Sequence, residues 1–240
     1  MSRRRALVTG AAGRVGQAIA IELARSGFDL VVHHDRSSPA ETLSACRAAG
    51  ADATAVQADL AHVAGCDAVV AAVLARGGTL DLLVNNASTF VAKPFGDITA
   101  EEWDRTQAIN VRAPFLLVAG LLPALRIARG LVVNLCDIGG DRPAAGYAHY
   151  SVSKAGLIML VKAIAVELGP EVRAIGISPG QVAWPETYDP ALRAKIANRI
   201  PLKQAGTPED VARLVRFAAL EGTYLDGVII PLDGGLASRY

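Results

Sequence analysis

Thr9-Gly10-Ala11-Ala12-Gly13-Arg14-Val15-Gly16 is the stretch that decides the fold. The apolar pair Leu7-Val8 leads into it, and Val15 to Leu23 then repeats apolar residues at helical spacing. A strand therefore turns into a helix through glycines. Such a turn lets the backbone approach a phosphate closely, and the helix N-terminus favours the negative charge. A plain tight turn would use the same residues. Its place at the first strand-to-helix turn favours the phosphate cradle.

Outward from that turn, apolar runs of strand length alternate with helical patterns. Asp29–His33, Ala53–Gln57, Leu80–Asn85, Leu131–Leu135, Val172–Ile177 and Val228–Pro231 read as further strands. Helical spacing covers roughly 40–49, 62–76, 100–128, 150–168 and 208–220. This βαβα order predicts an α/β fold: one doubly wound parallel sheet of about seven strands with helices on both faces. No linker or repeat divides residues 1–240, so one domain is expected. The stretch from Gly176 to Pro208, with Pro179, Pro185, Pro190 and Pro201, is the least regular. Its part near 181–205 is expected to form a lid over the ligand crevice.

Composition narrows the class. The chain is 52% hydrophobic and 20% charged with a net charge of +1, which fits a globular protein and gives no pull toward nucleic acid or a membrane surface. Arg3-Arg4-Arg5 reads as a solvated tail before the first strand. Cys46, Cys66 and Cys136 lack the spacing of a disulfide framework or a zinc site, so no metal and a reducing, cytoplasmic setting are expected. Ala6-Leu7-Val8 is too short for a signal core, and no apolar run is expected to reach membrane-spanning length. His33 and His34 end a strand without ligand spacing, and His149 reads as a packing or surface residue.

Asp35-Arg36-Ser37 follows the second strand. An acid there grips a ribose hydroxyl, whereas an arginine suits a 2′-phosphate. Arg36, Ser37 and Arg14 favour NADPH; Asp35 is the argument for NADH. Tyr150 and Lys154, four residues apart, share one helix face. The ammonium is expected to lower the phenol's pKa and make the tyrosine a usable proton donor.

Thr9 to Gly16, Asn85-Asn86-Ala87, Asn110, Tyr150-Ser151-Val152-Ser153-Lys154, Ser178-Pro179-Gly180 and Asp233-Gly234-Gly235 run along nearly the whole chain in the order of a known family. The sequence resembles the short-chain dehydrogenases/reductases. The resemblance implies a Rossmann fold, hydride transfer from a nicotinamide and catalytic roles for Tyr150, Lys154 and Asn110, the last holding a water that links Lys154 to solvent. It implies a cofactor site of Gly10, Arg14, Val15, Gly16, His33, Arg36, Ser37, Asp59, Leu60, Asn86, Ala87, Ser88, Tyr150, Lys154, Pro179, Gly180 and Val182, with Asp59 at the adenine. It also implies a homotetramer built through residues 100–128, 150–168 and 228–240.

One departure changes the reading. The family's serine usually stands thirteen residues before the tyrosine; here that residue is Asp137. An ionised carboxylate would repel a developing oxyanion but suits a substrate with ring N–H groups. Pairing of Asp137 with Arg142 is the bland alternative. Arg14 in place of the turn's middle glycine and Phe90 after Asn85-Asn86-Ala87-Ser88-Thr89 are similar to pteridine reductases and dihydromonapterin reductases. That likeness implies a pterin stacked on Phe90, with Arg14, Ser88, Asp137, Tyr150 and Trp184 around it. Phe90 and Ser88 also fit as core filler and loop hydroxyl. Trp184 and Tyr188 serve equally well to cover the substrate or to anchor the loop or a subunit contact. The expected activity is NADPH-dependent reduction of a dihydropterin; the alternatives are another carbonyl or imine substrate, or a non-catalytic dinucleotide sensor.

Overall fold

The computed structural model describes residues 3–184 and 188–239. Seven parallel strands form one sheet: β1 Arg4–Val8, β2 Phe28–His34, β3 Ala53–Gln57, β4 Leu82–Asn85, β5 Leu131–Leu135, β6 Arg173–Pro179 and β7 Ile229–Leu232. Their order across the sheet is β3-β2-β1-β4-β5-β6-β7. The chain winds outward from β1 in one direction and from β4 in the other, so a crevice opens where the winding reverses.

Strict alternation of side chains builds two cores. Ala6, Val8, Leu30, Val32, Leu82, Val84, Val133 and Ile175 face one layer, with α1 (Arg14–Arg25) and α8 (Pro208–Leu220) packed on them. Leu7, Val31, Leu83, Val132 and Ala174 face the other, against α3 (Val63–Leu74), α5 (Ala113–Ala128) and α6 (Ala148–Leu168). Period-two alternation with apolar residues on both faces is what a doubly covered parallel sheet requires. Helix α2 (Ala40–Ala48) completes the first layer through Cys46.

Several expectations need correction. Arg3-Arg4-Arg5 is no solvated tail, because β1 begins at Arg4. Arg3 pairs with Asp29 at 2.9 Å, and Arg5 donates to the Arg76 carbonyl and to Thr79 Oγ1. The guanidiniums satisfy loop carbonyls that would otherwise lose their water. The helix expected over 100–128 is interrupted: α4 (Ala100–Gln107) passes through a π turn, Ala108–Arg112, into α5. By length and composition Ala100–Ala128 is apolar enough to cross a membrane, contrary to the sequence reading; half of its most apolar window is buried in this fold. The irregular stretch before α8 contains a helix, α7 (Pro190–Arg199), started by Asp189, whose carboxylate accepts from the Leu192 amide at 2.7 Å. Pro185 and positions 186 and 187 of the expected lid lie outside the described residues.

Candidate active site

The crevice at the carboxyl ends of β1, β4 and β5 is a cavity of about 970 Å³. Its floor is the glycine turn. Thr9 Oγ1 accepts from the amides of Asn86 and Ala87, both at 2.9 Å. Asn86 Nδ2 donates back to the carbonyls of Thr9 at 2.8 Å and Gly10 at 3.1 Å. The turn is thus stapled to the end of β4. Gly10 takes a φ of +63°, and a Cβ there would lie 2.9 Å from Ala87 Cα.

Gly16 has a stricter reason. A Cβ would sit 2.3 Å from the Gly10 carbonyl oxygen and 2.9 Å from Ala11 Cα. Both are backbone, so the turn itself would have to move. Gly16→Ala is expected to weaken NADPH binding at least tenfold, read by fluorescence titration; unchanged affinity would mean that the turn is not the cradle. No side chain caps α1 at Gly13, and its first turn carries no acid. Its leading amides therefore remain available to an anion. Arg14 adopts a φ of +52° at the position glycine usually fills. A left-handed arginine costs about 1–2 kcal/mol, and its exposed side chain lines the cavity beside the amides. These features fit a dinucleotide pyrophosphate.

The adenosine end is built from strand termini. His33 Nδ1 accepts from the Gly10 amide at 3.1 Å, so its Nε2 carries the proton that goes to the Ala58 carbonyl at 3.0 Å. Burial lowers the His33 pKa, which leaves the ring neutral. His33 is thus a strut beneath the turn as well as a lining residue. Asp59 accepts from the Ala61 amide at 2.9 Å and from Arg105 Nη1 at 3.2 Å. Burial opposes the effect, but that amide and Arg105 together hold its carboxyl below the usual value. Arg36 reaches Asp35 at 3.7 Å at the exposed mouth, and Ser37 lies beside them. Arg105 is a lining residue the sequence reading missed; it stands on α4, far along the chain from every motif.

The reactive end holds Tyr150, Asp137 and Lys154. Asp137 caps a short 3-10 turn, Ile138–Gly140: Oδ1 accepts from the Gly139 amide at 2.6 Å, and Oδ2 accepts from the Tyr150 hydroxyl at 2.8 Å. Asp137 therefore does not pair with Arg142, which donates to the Arg239 carbonyl instead. Lys154 is buried on the same face of α6 and donates from Nζ to the Leu135 carbonyl at 2.7 Å. Its burial lowers its pKa. The expected lowering of the Tyr150 pKa is overturned. Burial pushes that phenol well above its ordinary value, and the Asp137 charge and hydrogen bond add to the effect. Burial outweighs the nearby Lys154 ammonium, whose Nζ stands 5.6 Å from the Tyr150 ring centroid. Cys136, next in chain, is buried and pushed up to about 12 by desolvation.

Asn110 is buried at the π turn, behind the cavity wall. Its Oδ1 accepts from the Thr89 amide at 2.9 Å, and its Nδ2 donates to the Thr89 carbonyl at 3.2 Å and Ser153 Oγ at 2.9 Å. The side chain ties the 88–90 loop to α6 and does not line the cavity. Ser88 and Phe90 do line it, as do Val15, Leu60, Ala87, Pro179, Gly180 and Val182. The Phe90 ring is half exposed, not core filler. Trp184 lines an adjoining cavity of about 560 Å³ that shares Arg14. It lies 6.4 Å from the Tyr188 ring, and the Arg193 guanidinium stands 6.0 Å from it. His149 is buried, in keeping with packing.

Comparison with known proteins follows the same outline. A family model described as enoyl-(acyl carrier protein) reductase matches residues 10–237. The granaticin polyketide synthase putative ketoacyl reductase 2 of Streptomyces violaceoruber is 35% identical over 238 residues, covering 96% of this chain and 94% of that protein. The 3beta-hydroxysteroid dehydrogenase 1 of Eggerthella lenta is 33% identical over 243 residues, covering 96% and 92%. The 3-oxoacyl-[acyl-carrier-protein] reductase of Synechocystis is 33% identical over 238 residues, covering 96% of both chains. The likeness to pteridine reductases has no counterpart among these relatives. With the sheet order, the stapled glycine turn and the Tyr150–Lys154 face all in place, the chain belongs to the short-chain dehydrogenase/reductase family of oxidoreductases.

Proposed function

We propose that this protein is an NADPH-dependent reductase of a carbonyl or imine double bond, with Tyr150 delivering the proton. The observation that carries the reading is the buried Tyr150 hydroxyl, held 2.8 Å from Asp137 in the same cavity as the glycine turn. The cofactor, when bound, supplies the hydride. Gly10, Gly16 and the α1 amides would hold its pyrophosphate, Asp59 and Leu60 would face the adenine, and Arg36 and Ser37 the 2′-phosphate. Lys154 would turn from the Leu135 carbonyl to the ribose, and Asn86, Ala87, Ser88, Pro179, Gly180 and Val182 would line the path between. Tyr150 remains protonated well past neutral pH, so its phenol is a donor at working pH. Asn110 acts through the 88–90 loop.

The relatives' names support a carbonyl substrate. For that chemistry Tyr150 must release Asp137 and donate to the substrate oxygen, with the Asp137 carboxyl beside the developing charge. Asp137 favours a second reading, reduction of a ring C=N such as that of a dihydropterin. An ionised Asp137 would accept a ring N–H and stabilise a protonated nitrogen, while Phe90 offers the stacking face. Exposed apolar residues on α5 and α6, among them Phe115, Val152, Met159 and Val166, support the homotetramer. Val182 and Tyr188, at the cavity wall, support a lid role for the described residues of 181–205.

The test is NADPH oxidation with a 3-oxoacyl thioester, a cyclic imine, dihydrobiopterin and dihydromonapterin side by side. Turnover of the thioester alone removes the pterin reading, and no turnover of any removes the proposal. NADPH is expected to outperform NADH at least tenfold in kcat/KM; preference for NADH would reassign the pocket at Arg36 to Asp35.

A further inference from the structure

Phe90 stands in an irregular segment after β4, with its ring half exposed at the cavity wall. Such a ring needs a support to keep one orientation. The Tyr147 ring lies parallel to it, centroids 4.5 Å apart and planes 11° apart. Tyr147 does not line the cavity, whereas Phe90, Tyr150 and Tyr188 do. Tyr147 therefore covers one face of Phe90 and leaves the other to the cavity. Its own position is fixed by backbone: its carbonyl accepts from the Ser151 amide at 2.8 Å, and the neighbouring Gly146 carbonyl accepts from the Lys93 amide at 2.7 Å. The second bond ties this loop to the one that carries Phe90. Tyr150 meets Phe90 from the side, at 4.7 Å and 75°, and its ring lies 6.4 Å from that of Tyr147, so it leaves the second face of Phe90 open.

We propose that Tyr147 is a positioning residue that holds Phe90 face-on to the cavity, so that the site selects planar conjugated rings. This rests on the second reading above, in which a flat ring stacks on Phe90. Tyr147 acts through Phe90 and touches no ligand. Because Phe90 also abuts Tyr150, the same stack keeps the platform in register with the proton donor.

The experiment titrates biopterin, a planar probe, into the NADP⁺-loaded protein by calorimetry, with NADP⁺ affinity measured for each variant. Tyr147→Ala is expected to weaken biopterin about fivefold. Tyr147→Leu, which keeps most of the bulk and loses the flat face, should do nearly the same, and Tyr147→Phe should bind as the wild type does. NADP⁺ affinity should stay within twofold throughout. Phe90→Ala is the control and should weaken biopterin at least as much. Loss with Phe90→Ala but not with Tyr147→Ala would overturn the role of Tyr147 and leave the stacking platform standing. No biopterin binding by the wild type, or no effect of Phe90→Ala, would overturn the platform and this proposal with it. Loss of NADP⁺ affinity in both Tyr147→Ala and Tyr147→Leu would show a general support of the fold and overturn the assignment.

Discussion

Tyr150→Phe is expected to lower kcat/KM by about 10³-fold, the scale on which a positioned proton donor contributes. The change removes one oxygen and leaves the ring in its packing against Phe90. It also frees Asp137 Oδ2, whose hydrogen bond to that hydroxyl is 2.8 Å long. Steady-state kinetics on whichever substrate the panel identifies, together with a cofactor titration, separates chemistry from binding. NADPH affinity should change little, because the glycine turn and the adenosine end are untouched. Activity within tenfold of the wild type would take Tyr150 out of the reaction.

Asp137→Ser carries the next largest effect, with a sign that depends on the substrate. It restores the hydroxyl that the family usually places there. A ring C=N substrate would lose the carboxylate that accepts its N–H, and kcat/KM should fall about 10²-fold, the low end of general acid–base contributions. A ketone would gain a donor in place of a repelling charge and should react as fast or faster. The pH profile adds an independent readout. Burial is the main reason that the Tyr150 phenol sits high, and Asp137 raises it further through charge and hydrogen bond. Removing the carboxylate brings the phenol down, so its acid form is lost at lower pH. The alkaline limb of kcat/KM should therefore move to lower pH in Asp137→Ser. A limb that stays in place, with either substrate, would show that Asp137 does not tune the donor.

The sheet was legible because its central strands are buried on both faces. Leu7-Val8, Leu82–Asn85 and Leu131–Leu135 are short, largely apolar runs between helical patterns, as a covered parallel sheet requires. The glycine turn and the Tyr150–Lys154 face were legible because local spacing sets them. What escaped were features decided by distant partners. Arg5 looked like a tail residue until Arg76 and Thr79 closed on it from the far end of α3. The π turn at Ala108–Arg112 lies just before Pro114, which has no N–H to give the Asn110 carbonyl, a local signal that the reading passed over. The partners of the Asn110 amide, Thr89 and Ser153, stand far from it in the chain. Tyr147 belongs to no motif, and its partner Phe90 lies far back in the chain. The direction of the Tyr150 shift failed because sequence shows proximity to a lysine and not the burial of the phenol, which dominates the shift.

A crystal structure with NADP⁺ tests most directly whether this cavity is a hydride-transfer site governed by Tyr150 and Asp137. The account predicts the pyrophosphate on the Gly10–Gly16 turn, Lys154 moved from the Leu135 carbonyl to the nicotinamide ribose, and the Tyr150 hydroxyl and Asp137 facing the nicotinamide ring. A cofactor bound elsewhere, or a nicotinamide turned away from Tyr150 with Lys154 still on Leu135, would contradict it.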